Sequence, residues 1–545
     1  MAIGTITVNS KIKNYLNIEQ IYKLVFIPLN MNLFKTPYYL IPSLLSLVFI
    51  LSSFISFSQE SFHDLVNNGE KEKVIALLNE GVDVDLRDED SLTALMFACV
   101  NANYELADLL IKKGAEINTI DGEGNEVIFY AIDSEDIDVV SLIISNGANV
   151  NSINAGGYPA IIHALDYGED ILQLLIDSKA DINAKDINNM TLLSHLISDE
   201  DYEYARLMID KGADINVIDG MGLPIIVSLL KKGNKQFVAD MLVMNINADL
   251  IDSDELTVLM HFINMHDEVS ARKLIEKGAS LTAVDKWGQT ALFYAIPNCS
   301  EEFCIYLVNK GINVKGKNRT GETALILALE KSYSNFAKLM VDKGISLRSR
   351  DRLNRTPLLV AAVDGNYELV QYMITKGAVI DDAFSDGKSL LMLAAASNRT
   401  TPEVIELLIK SGQKVNPQDY IGASALMYAS YSGNTAVLAK LINFGGDFGA
   451  EDLIGKTILH YAAEGGQVEN VKYLVEVNGR SVYLIDKDKR WTALHYAAIN
   501  DHLGVVKYLL SQKASINAED INGKTPFQIA KSKAIKDYLT SVGGR

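Results

Sequence analysis

From about residue 88 to the C-terminus, one pattern of apolar and polar positions recurs with a period of about 33 residues. A polar residue or a proline precedes each predicted first helix, and the step between copies is constant except for one shorter and two longer steps. The copies of this position are Thr93, Glu126, Pro159, Thr191, Pro224, Thr257, Thr290, Thr323, Thr356, Ser389, Ser424, Thr457, Thr492 and Thr525. A period this regular predicts a stacked array, in which each repeat buries its apolar face against its neighbours.

Each repeat is predicted to hold a turn and two helices. Asp and Gly before the recurrent position, as in Asp419 and Gly422, suit a tight turn. The threonine suits an N-cap, and a leucine and an alanine three residues apart, as in Leu459 and Ala462, share one helix face. The second helix is expected to end at a recurrent glycine, found at Gly114, Gly147, Gly212, Gly278, Gly311, Gly344, Gly377, Gly412 and Gly445.

The clearest copies share a motif. Residues 452–460 are DLIGKTILH, residues 491–498 are WTALHYAA, residues 351–362 are DRLNRTPLLVAA, and the second halves end in sequences such as KGADIN. Together they resemble the ankyrin repeat, whose pattern is close to D-x-x-G-x-T-P-L-H-x-A-A, a second helix, and then G-A-D-I-N. The resemblance implies an all-α ankyrin-repeat solenoid, with a helix-turn-helix and a β-hairpin or finger loop in each repeat, stacked into a curved superhelix.

The period also predicts the domain organisation. About thirteen full repeats occupy residues 88–519, residues 59–87 form a degenerate N-terminal capping repeat, and residues 520–545 form a C-terminal capping repeat and tail. The two longer steps locate two-residue insertions. One follows Ala396, where Thr401 and Pro402 are expected to cap the second helix again. The other lies near residues 476–486 and is expected to lengthen one finger loop.

The N-terminus carries a second informative segment. Residues 38–57 are twenty residues without a charge, Lys35 precedes them, and Ser56-Phe57-Ser58 fits a small-x-small cleavage site. We therefore expect a signal peptide over residues 31–58, starting at Met31, with residues 1–30 as a non-native or disordered extension. The alternative is an uncleaved membrane anchor. Both interpretations place the repeats outside the cytoplasm. A cleaved signal peptide gives a periplasmic or secreted protein, and an uncleaved segment gives a membrane-anchored one. A cytoplasmic chain is the third alternative.

Composition narrows the classes of partner. The chain has 50 basic and 69 acidic side chains and a net charge of −19. Such a chain repels polyanions as a whole, so we expect no nucleic-acid partner. Three cysteines are too few for a disulfide framework. We expect free thiols, with a Cys299–Cys304 bridge as the alternative.

The sequence predicts no catalytic, cofactor or metal site, and no enzyme. Gly455-Lys456-Thr457 and two similar tripeptides resemble the end of a phosphate-binding loop but lack the glycine required five residues earlier. The eight histidines form no HExxH motif and no metal-spaced pair with cysteine. His460 and His495 occupy the histidine position of the repeat motif, where the resemblance implies a structural hydrogen bond to the backbone between repeats.

The resemblance implies binding of partner proteins through the finger tips and the concave face. One stretch of tips departs from the acidic background, with seven cations on two adjacent tips: Lys315, Lys317, Arg319, Arg348, Arg350, Arg352 and Arg355. Two interpretations stay open for these cations: a solvated cluster without function, or a surface that contacts an acidic segment of a partner protein. Trp287 and Trp491 also lie at tips, beside basic residues, and are expected to anchor an interface or else to pack along the neighbouring finger.

The sequence thus predicts a monomeric, non-catalytic scaffold or adaptor for protein–protein interaction. The first alternative is a dedicated binder or inhibitor of one extracytoplasmic enzyme. A cytoplasmic ankyrin regulator is the alternative if residues 38–57 are not a signal. An enzyme hidden in the array is disfavoured by the unbroken period.

Overall fold

The computed structural model describes residues 61–381 and 384–545. The predicted extension, residues 1–30, and the predicted signal peptide or anchor, residues 31–58, lie outside the described residues. No helix within the described ranges combines the length and apolar character needed to cross a membrane. Residues 61–180 lie in one compact unit and residues 181–545 in another.

The first unit contains four helix pairs. Its helices are α1 (Phe62–Asn67), α2 (Lys71–Asn79), α3 (Ala94–Val100), α4 (Tyr104–Lys112), α5 (Val127–Asp133), α6 (Ile137–Ser145), α7 (Ala160–His163, continued by a 3₁₀ turn over Ala164–Asp166) and α8 (Glu169–Asp177). The first helices of neighbouring pairs pack on one another, and each also packs on the second helix of its own pair.

The second unit contains eleven helix pairs that pack in the same way. The first six pairs are α9 (Leu192–Ser198), α10 (Tyr202–Asp210), α11 (Ile225–Lys231), α12 (Lys235–Met241), α13 (Val258–Asn264), α14 (Glu268–Glu276), α15 (Ala291–Asn298), α16 (Glu301–Asn309), α17 (Ala324–Glu330), α18 (Ser334–Asp342), α19 (Pro357–Val363) and α20 (Tyr367–Thr375). The last five are α21 (Leu390–Ala395), α22 (Pro402–Lys410), α23 (Ala425–Ser432), α24 (Thr435–Asn443), α25 (Ile458–Glu464), α26 (Val468–Lys472, continued by a π-helix over Tyr473–Val477), α27 (Ala493–Ile499), α28 (Leu503–Ser511), α29 (Pro526–Ile529) and α30 (Lys533–Ser541).

Local chemistry explains why these residues form helices. The Thr257 hydroxyl accepts from the Met260 amide at 3.2 Å and caps α13, and Leu259 behind it is fully buried. The second helix of that repeat ends before Gly278, whose φ of +97° suits a residue without a Cβ. Within the described residues the fingers pair only through isolated bridges, such as Lys317 with Thr323. The predicted all-α repeat fold is confirmed.

In half of the repeats, the aspartate that opens the turn ties the finger to the first helix of the same repeat. Asp452 Oδ1 accepts from the amides of Ile454 and Lys456, at 3.0 and 2.8 Å, and Oδ2 accepts from the Tyr461 hydroxyl at 2.9 Å. We call this contact the Asp–ring bond. It recurs in Tyr130–Asp121, Tyr294–Asp285, Tyr428–Asp419 and Tyr496–Asp486, and with an imidazole in His195–Asp186 and His261–Asp252.

The two insertions have different outcomes. Thr401 caps α22 as predicted, accepting from the Val404 amide at 3.4 Å. The expectation that the second insertion lengthens one finger loop is confirmed for one of its two residues and wrong for the other. One residue is accommodated by the π-helix over Tyr473–Val477, because an i→i+5 turn holds one residue more than an α-turn. The other lies in the finger, where the Ile485–Thr492 bridge spans one residue more than the Ile251–Thr257 bridge.

The structural role expected for the motif histidines is confirmed. His460 Nδ1 accepts from the Thr457 amide at 2.9 Å, which leaves Nε2 to donate to the Leu484 carbonyl of the next repeat at 3.0 Å. Burial lowers the pKa of His460 to about 4. His495 makes the equivalent pair of contacts to Thr492 and to the Lys524 carbonyl.

Candidate partner-binding surface

The predicted basic residues lie on two fingers of the second unit, one before α17 and one before α19. Lys315, Lys317 and Arg319 occupy alternate positions along the first finger. Arg348, Arg350 and Arg352 occupy the equivalent positions one repeat later. All are exposed except Arg350 and Arg355, which are half-buried.

Arg352 and Arg355 contact carboxylates of the described residues. Arg355 Nε lies 2.6 Å from Asp351 Oδ2, and its Nη2 contacts Glu330. Although partial burial opposes it, hydrogen bonds to Glu330 and Asp351 raise the pKa of Arg355. Arg352 lies 3.7 Å from a carboxylate oxygen of Glu322 on the preceding finger. The charges of these two arginines are therefore at least partly compensated by carboxylates of the same chain.

Two further cations face aromatic rings. The Arg350 guanidinium donates to the Asn354 carbonyl at 2.8 Å and lies 5.4 Å from the centre of the Phe384 ring. The Arg319 guanidinium lies 5.2 Å from the centre of the Trp287 ring, which is half-buried. Trp287 is therefore adjacent to the basic fingers, and a partner at this position would meet cations and an indole together.

The remaining three cations converge on one open cleft, which we call the basic cleft. Lys315, Lys317 and Arg348 line it, and its volume is about 390 Å³. Its other lining residues are Thr323, Gly344, Ile345, Ser346 and Ser349. No carboxylate is among them, and within the described residues none of the three cations forms an ion pair. The basic cleft therefore holds three positive charges that the described chain leaves uncompensated.

Trp491 lies elsewhere, on a finger several repeats further along the chain. Its Nε1 donates to Asp520 Oδ2 at 3.2 Å, and its ring centre is 5.2 Å from that of Tyr496 and 6.2 Å from that of His495. The Lys489 ammonium is 4.5 Å from the ring centre. Trp491 therefore packs along its neighbouring finger, which was the alternative expectation for it.

Residues with catalytic potential are engaged in structural contacts. Lys456 of the phosphate-loop lookalike is buried and pairs with Glu464 at 2.5 Å. Cys299 and Cys304 are buried free thiols, as is Cys99, and burial raises the pKa of Cys299 and Cys304 to about 12. In the part of the chain that the structure describes, no three His, Cys, Asp or Glu side chains are grouped so that they could hold a metal ion.

Sequence reasoning missed two surfaces. Tyr420, Ile421, Leu453 and Ile454 are exposed apolar residues on two adjacent tips, joined by a bond from the Leu453 amide to the Ile421 carbonyl at 3.0 Å. Their positions, one and two residues after the turn aspartate, could have revealed them. The second surface is a cleft beside Ser228, where the recurrent ring of the Asp–ring bond is missing.

The comparison with protein-family models agrees with this architecture. The model of the family "Ankyrin repeats (3 copies)" matches residues 62–154, 225–318, 313–384, 348–419, 391–486, 426–520 and 478–539. The crystal structure of the human ASB11 ankyrin repeat domain is 21% identical, with a TM-score of 0.36, and the match covers 41% of this chain and 99% of that domain.

Two curated relatives are similar over short segments. Alpha-latroinsectotoxin-Lt1a of Latrodectus tredecimguttatus is 47% identical over 73 residues, which is 13% of this chain and 5% of that protein. Alpha-latrocrustotoxin-Lt1a of the same species is 42% identical over 79 residues, 14% of this chain and 5% of that protein. The chain thus spans about a twentieth of the length of these relatives. Because the family model covers well over half of its residues, the chain belongs to the ankyrin repeat family.

Proposed function

We propose that this chain is a non-catalytic scaffold that captures an acidic segment of a partner protein in the basic cleft. Ankyrin repeats generally mediate protein–protein interaction, and the cleft supplies a specific chemistry for it. The observation that carries the proposal is the convergence of Lys315, Lys317 and Arg348 without an ion pair among the described residues.

Charge distribution supports an acidic partner. The whole chain has a net charge of −19, so an acidic protein is repelled by most of its surface and attracted only where cations are uncompensated. Carboxylates in the cleft would gain charge-assisted hydrogen bonds from two ammonium groups and a guanidinium. Neighbouring fingers are about 10 Å apart if they follow the packing distance of helices. An extended segment with several Asp or Glu side chains therefore suits both fingers at once.

The same distribution argues against a nucleic acid as the partner. Nucleic-acid binding requires a run of cations that follows many phosphates. Here the basic positions are confined to two fingers, and two of their arginines, Arg352 and Arg355, are already neutralised by carboxylates. A short acidic peptide segment is the ligand that fits this limited area.

We also propose that the repeats act outside the cytoplasm, as an exported protein or tethered through residues 38–57. The support is the uncharged segment itself, with Lys35 before it and acidic residues after it. An extracytoplasmic location would make the partner a secreted or surface protein. The same surface would also suit a dedicated inhibitor of one enzyme. A dedicated inhibitor has a single partner, whereas a scaffold has several, so the number of partners distinguishes the two roles.

Crosslinking in the native host tests the proposed function. The triple variant K315E/K317E/R348E is compared with K211E/K531E/K533E, which changes net charge equally at lysines without an ion pair among the described residues. We expect the crosslinked partner to disappear only in the first variant. Several partners lost together indicate a scaffold, and a single one indicates a dedicated binder. An unchanged set of crosslinked proteins in K315E/K317E/R348E would contradict the proposal.

A further inference from the structure

One finger of the second unit has the turn aspartate but not the ring that the two adjacent fingers provide. Asp219 opens this finger, and its Oδ1 accepts from the amides of Met221 and Leu223, both at 2.9 Å, as in the other repeats. Nine residues later stands Ser228, whose hydroxyl donates to Asp219 Oδ2. The adjacent repeats have His195 and His261 at this position. The carboxylate is therefore in its usual place, but the ring beside it is missing.

The missing ring leaves an open cleft of about 240 Å³, which we call the Ser228 cleft. Met190, Ile197, Met221 and Ile225 supply apolar walls, and Ser228 and Asp219 supply a polar end. Asp219 is partly exposed, whereas its counterparts Asp186, Asp285 and Asp452 are 5%, 2% and 8% exposed.

Gly220 keeps this cleft open at the finger tip. A Cβ built on Gly220 would lie 2.8 Å from the sulfur of Met190, so any larger residue would compete with the Met190 side chain for the same space. Other repeats have large side chains here, such as Tyr420 and Leu453. Two small residues, Gly220 and Ser228, therefore occur in one repeat at the two positions that would otherwise fill the cleft.

We propose that the Ser228 cleft binds a tyrosine side chain of a partner protein, with the phenol ring in the vacant ring position and its hydroxyl donating to Asp219. The chain itself contains the model for this contact: in five other repeats a tyrosine hydroxyl donates to the equivalent carboxylate at 2.5 to 2.9 Å. Tyrosine is also among the residues that most often anchor protein interfaces.

Size and charge agree with a neutral phenol. An apolar cavity of about 150 Å³ is sufficient to bind benzene, so a cleft of this volume accepts a phenol ring. The Asp219 carboxylate has free lone pairs beyond the bond from Ser228. The same carboxylate repels an anion, so a phosphorylated tyrosine would not bind. The proposal rests on the protein-binding function proposed above, but its chemistry can be tested without the partner.

The test uses p-cresol, the side-chain analogue of tyrosine, with the full chain labelled with ¹³C at its methionine methyl groups. Met190 and Met221 line the cleft and serve as reporters, assigned through M190L and M221L. Buried Met373 of α20 is the internal control. We expect saturable shifts of the Met190 and Met221 methyl signals alone, with toluene binding at least tenfold more weakly because it lacks the hydroxyl. No shift up to the solubility limit, or equal binding of the two compounds, would overturn the proposal.

The variant S228Y provides a second, independent test of the proposed tyrosine site. It restores the residue found in five other repeats, so we expect a folded protein whose cleft is filled from within and whose Met190 shift with p-cresol is lost. Retained p-cresol binding in folded S228Y would overturn the assignment, and if S228Y does not fold, the comparison of p-cresol with toluene decides. Binding of an acidic peptide to the basic cleft is measured on the same samples. Absence of peptide binding with intact p-cresol binding counts against the proposed function. Absence of p-cresol binding with intact peptide binding counts only against this inference.

Discussion

The hydroxyl of Tyr461 donates to Asp452 Oδ2 at 2.9 Å across nine residues, and this bond fastens a finger to the helix that follows it. Burial and the hydrogen bond to Asp452 raise the pKa of Tyr461, which keeps the hydroxyl a donor at any physiological pH. Because Asp452 also holds the amides of Ile454 and Lys456, one side chain fixes both the turn and its attachment. The presentation of finger-tip residues to a partner therefore depends on these bonds.

Removal of this donor is expected to destabilise the repeat. Y461F leaves a buried carboxylate oxygen without its partner, which costs about 1–3 kcal/mol. We expect faster amide exchange at Ile454 and Lys456 and a lower free energy of unfolding. The control is Y431F, at an exposed tyrosine. Equal stability of Y461F and Y431F would show that the bond contributes nothing.

Acid sensitivity is expected from the motif histidines. Burial lowers the pKa of His460 from 6.5 to about 4, so the unfolded chain binds a proton that the folded chain does not. This contribution to stability is complete above pH 6.5 and is lost as the pH falls toward 4, with a total of about 3 kcal/mol for this residue. H460Q is expected to flatten the dependence of unfolding free energy on pH over that window, whereas H266Q, at an exposed histidine, is not. An unchanged slope in H460Q would refute this origin.

The π-helix predicts a tolerated deletion. Removal of Val477, which is 66% exposed, eliminates the surplus residue of Tyr473–Val477 and lets an ordinary α-helix form. We expect the melting temperature to change by only a few degrees. Deletion of Leu207, which is 39% exposed in the regular helix α10, shifts the buried face of the following turn and is expected to be far more damaging. Equal damage from the two deletions would contradict the assignment of the surplus residue.

The proposed export is tested by N-terminal sequencing of the mature protein. The small-x-small site at Ser56-Phe57-Ser58 predicts a first residue of Gln59. An intact N-terminus in a membrane fraction would favour the anchor, and an intact N-terminus in the cytoplasm would contradict export.

The fold could be predicted because every repeat presents the same local signals. Caps such as Thr257, helix ends such as Gly278 and the apolar face around Leu459 act within a few residues of sequence. The sequence also contained the signal for the Asp–ring bond, since an aspartate and a ring recur nine or ten residues apart in seven repeats. The aspartate was explained by its turn propensity alone, so the bond was not predicted. Its absence at Ser228 could be recognised only against that pattern.

The candidate site was less predictable because it depends on contacts between repeats. The basic tips could be located from sequence, but whether each cation is neutralised depends on lateral neighbours. Arg352 contacts Glu322 of the preceding finger, and Arg355 contacts Glu330 at the end of α17, so both carboxylates come from the preceding repeat. Arg319 and Arg350 face aromatic rings, so three of the seven candidate cations remain to line the basic cleft.

Capture of acidic segments by Lys315, Lys317 and Arg348 is measurable as the affinity of the purified chain for a fluorescent glutamate decapeptide. Fluorescence anisotropy would give Kd for the unmodified protein, for K315Q/K317Q/R348Q and for the matched K211Q/K531Q/K533Q. We expect an affinity that weakens with salt, is at least tenfold lower in the first variant and is unchanged in the second. Equal affinity of the two triple variants, or no binding by the unmodified protein at low salt, would contradict this expectation.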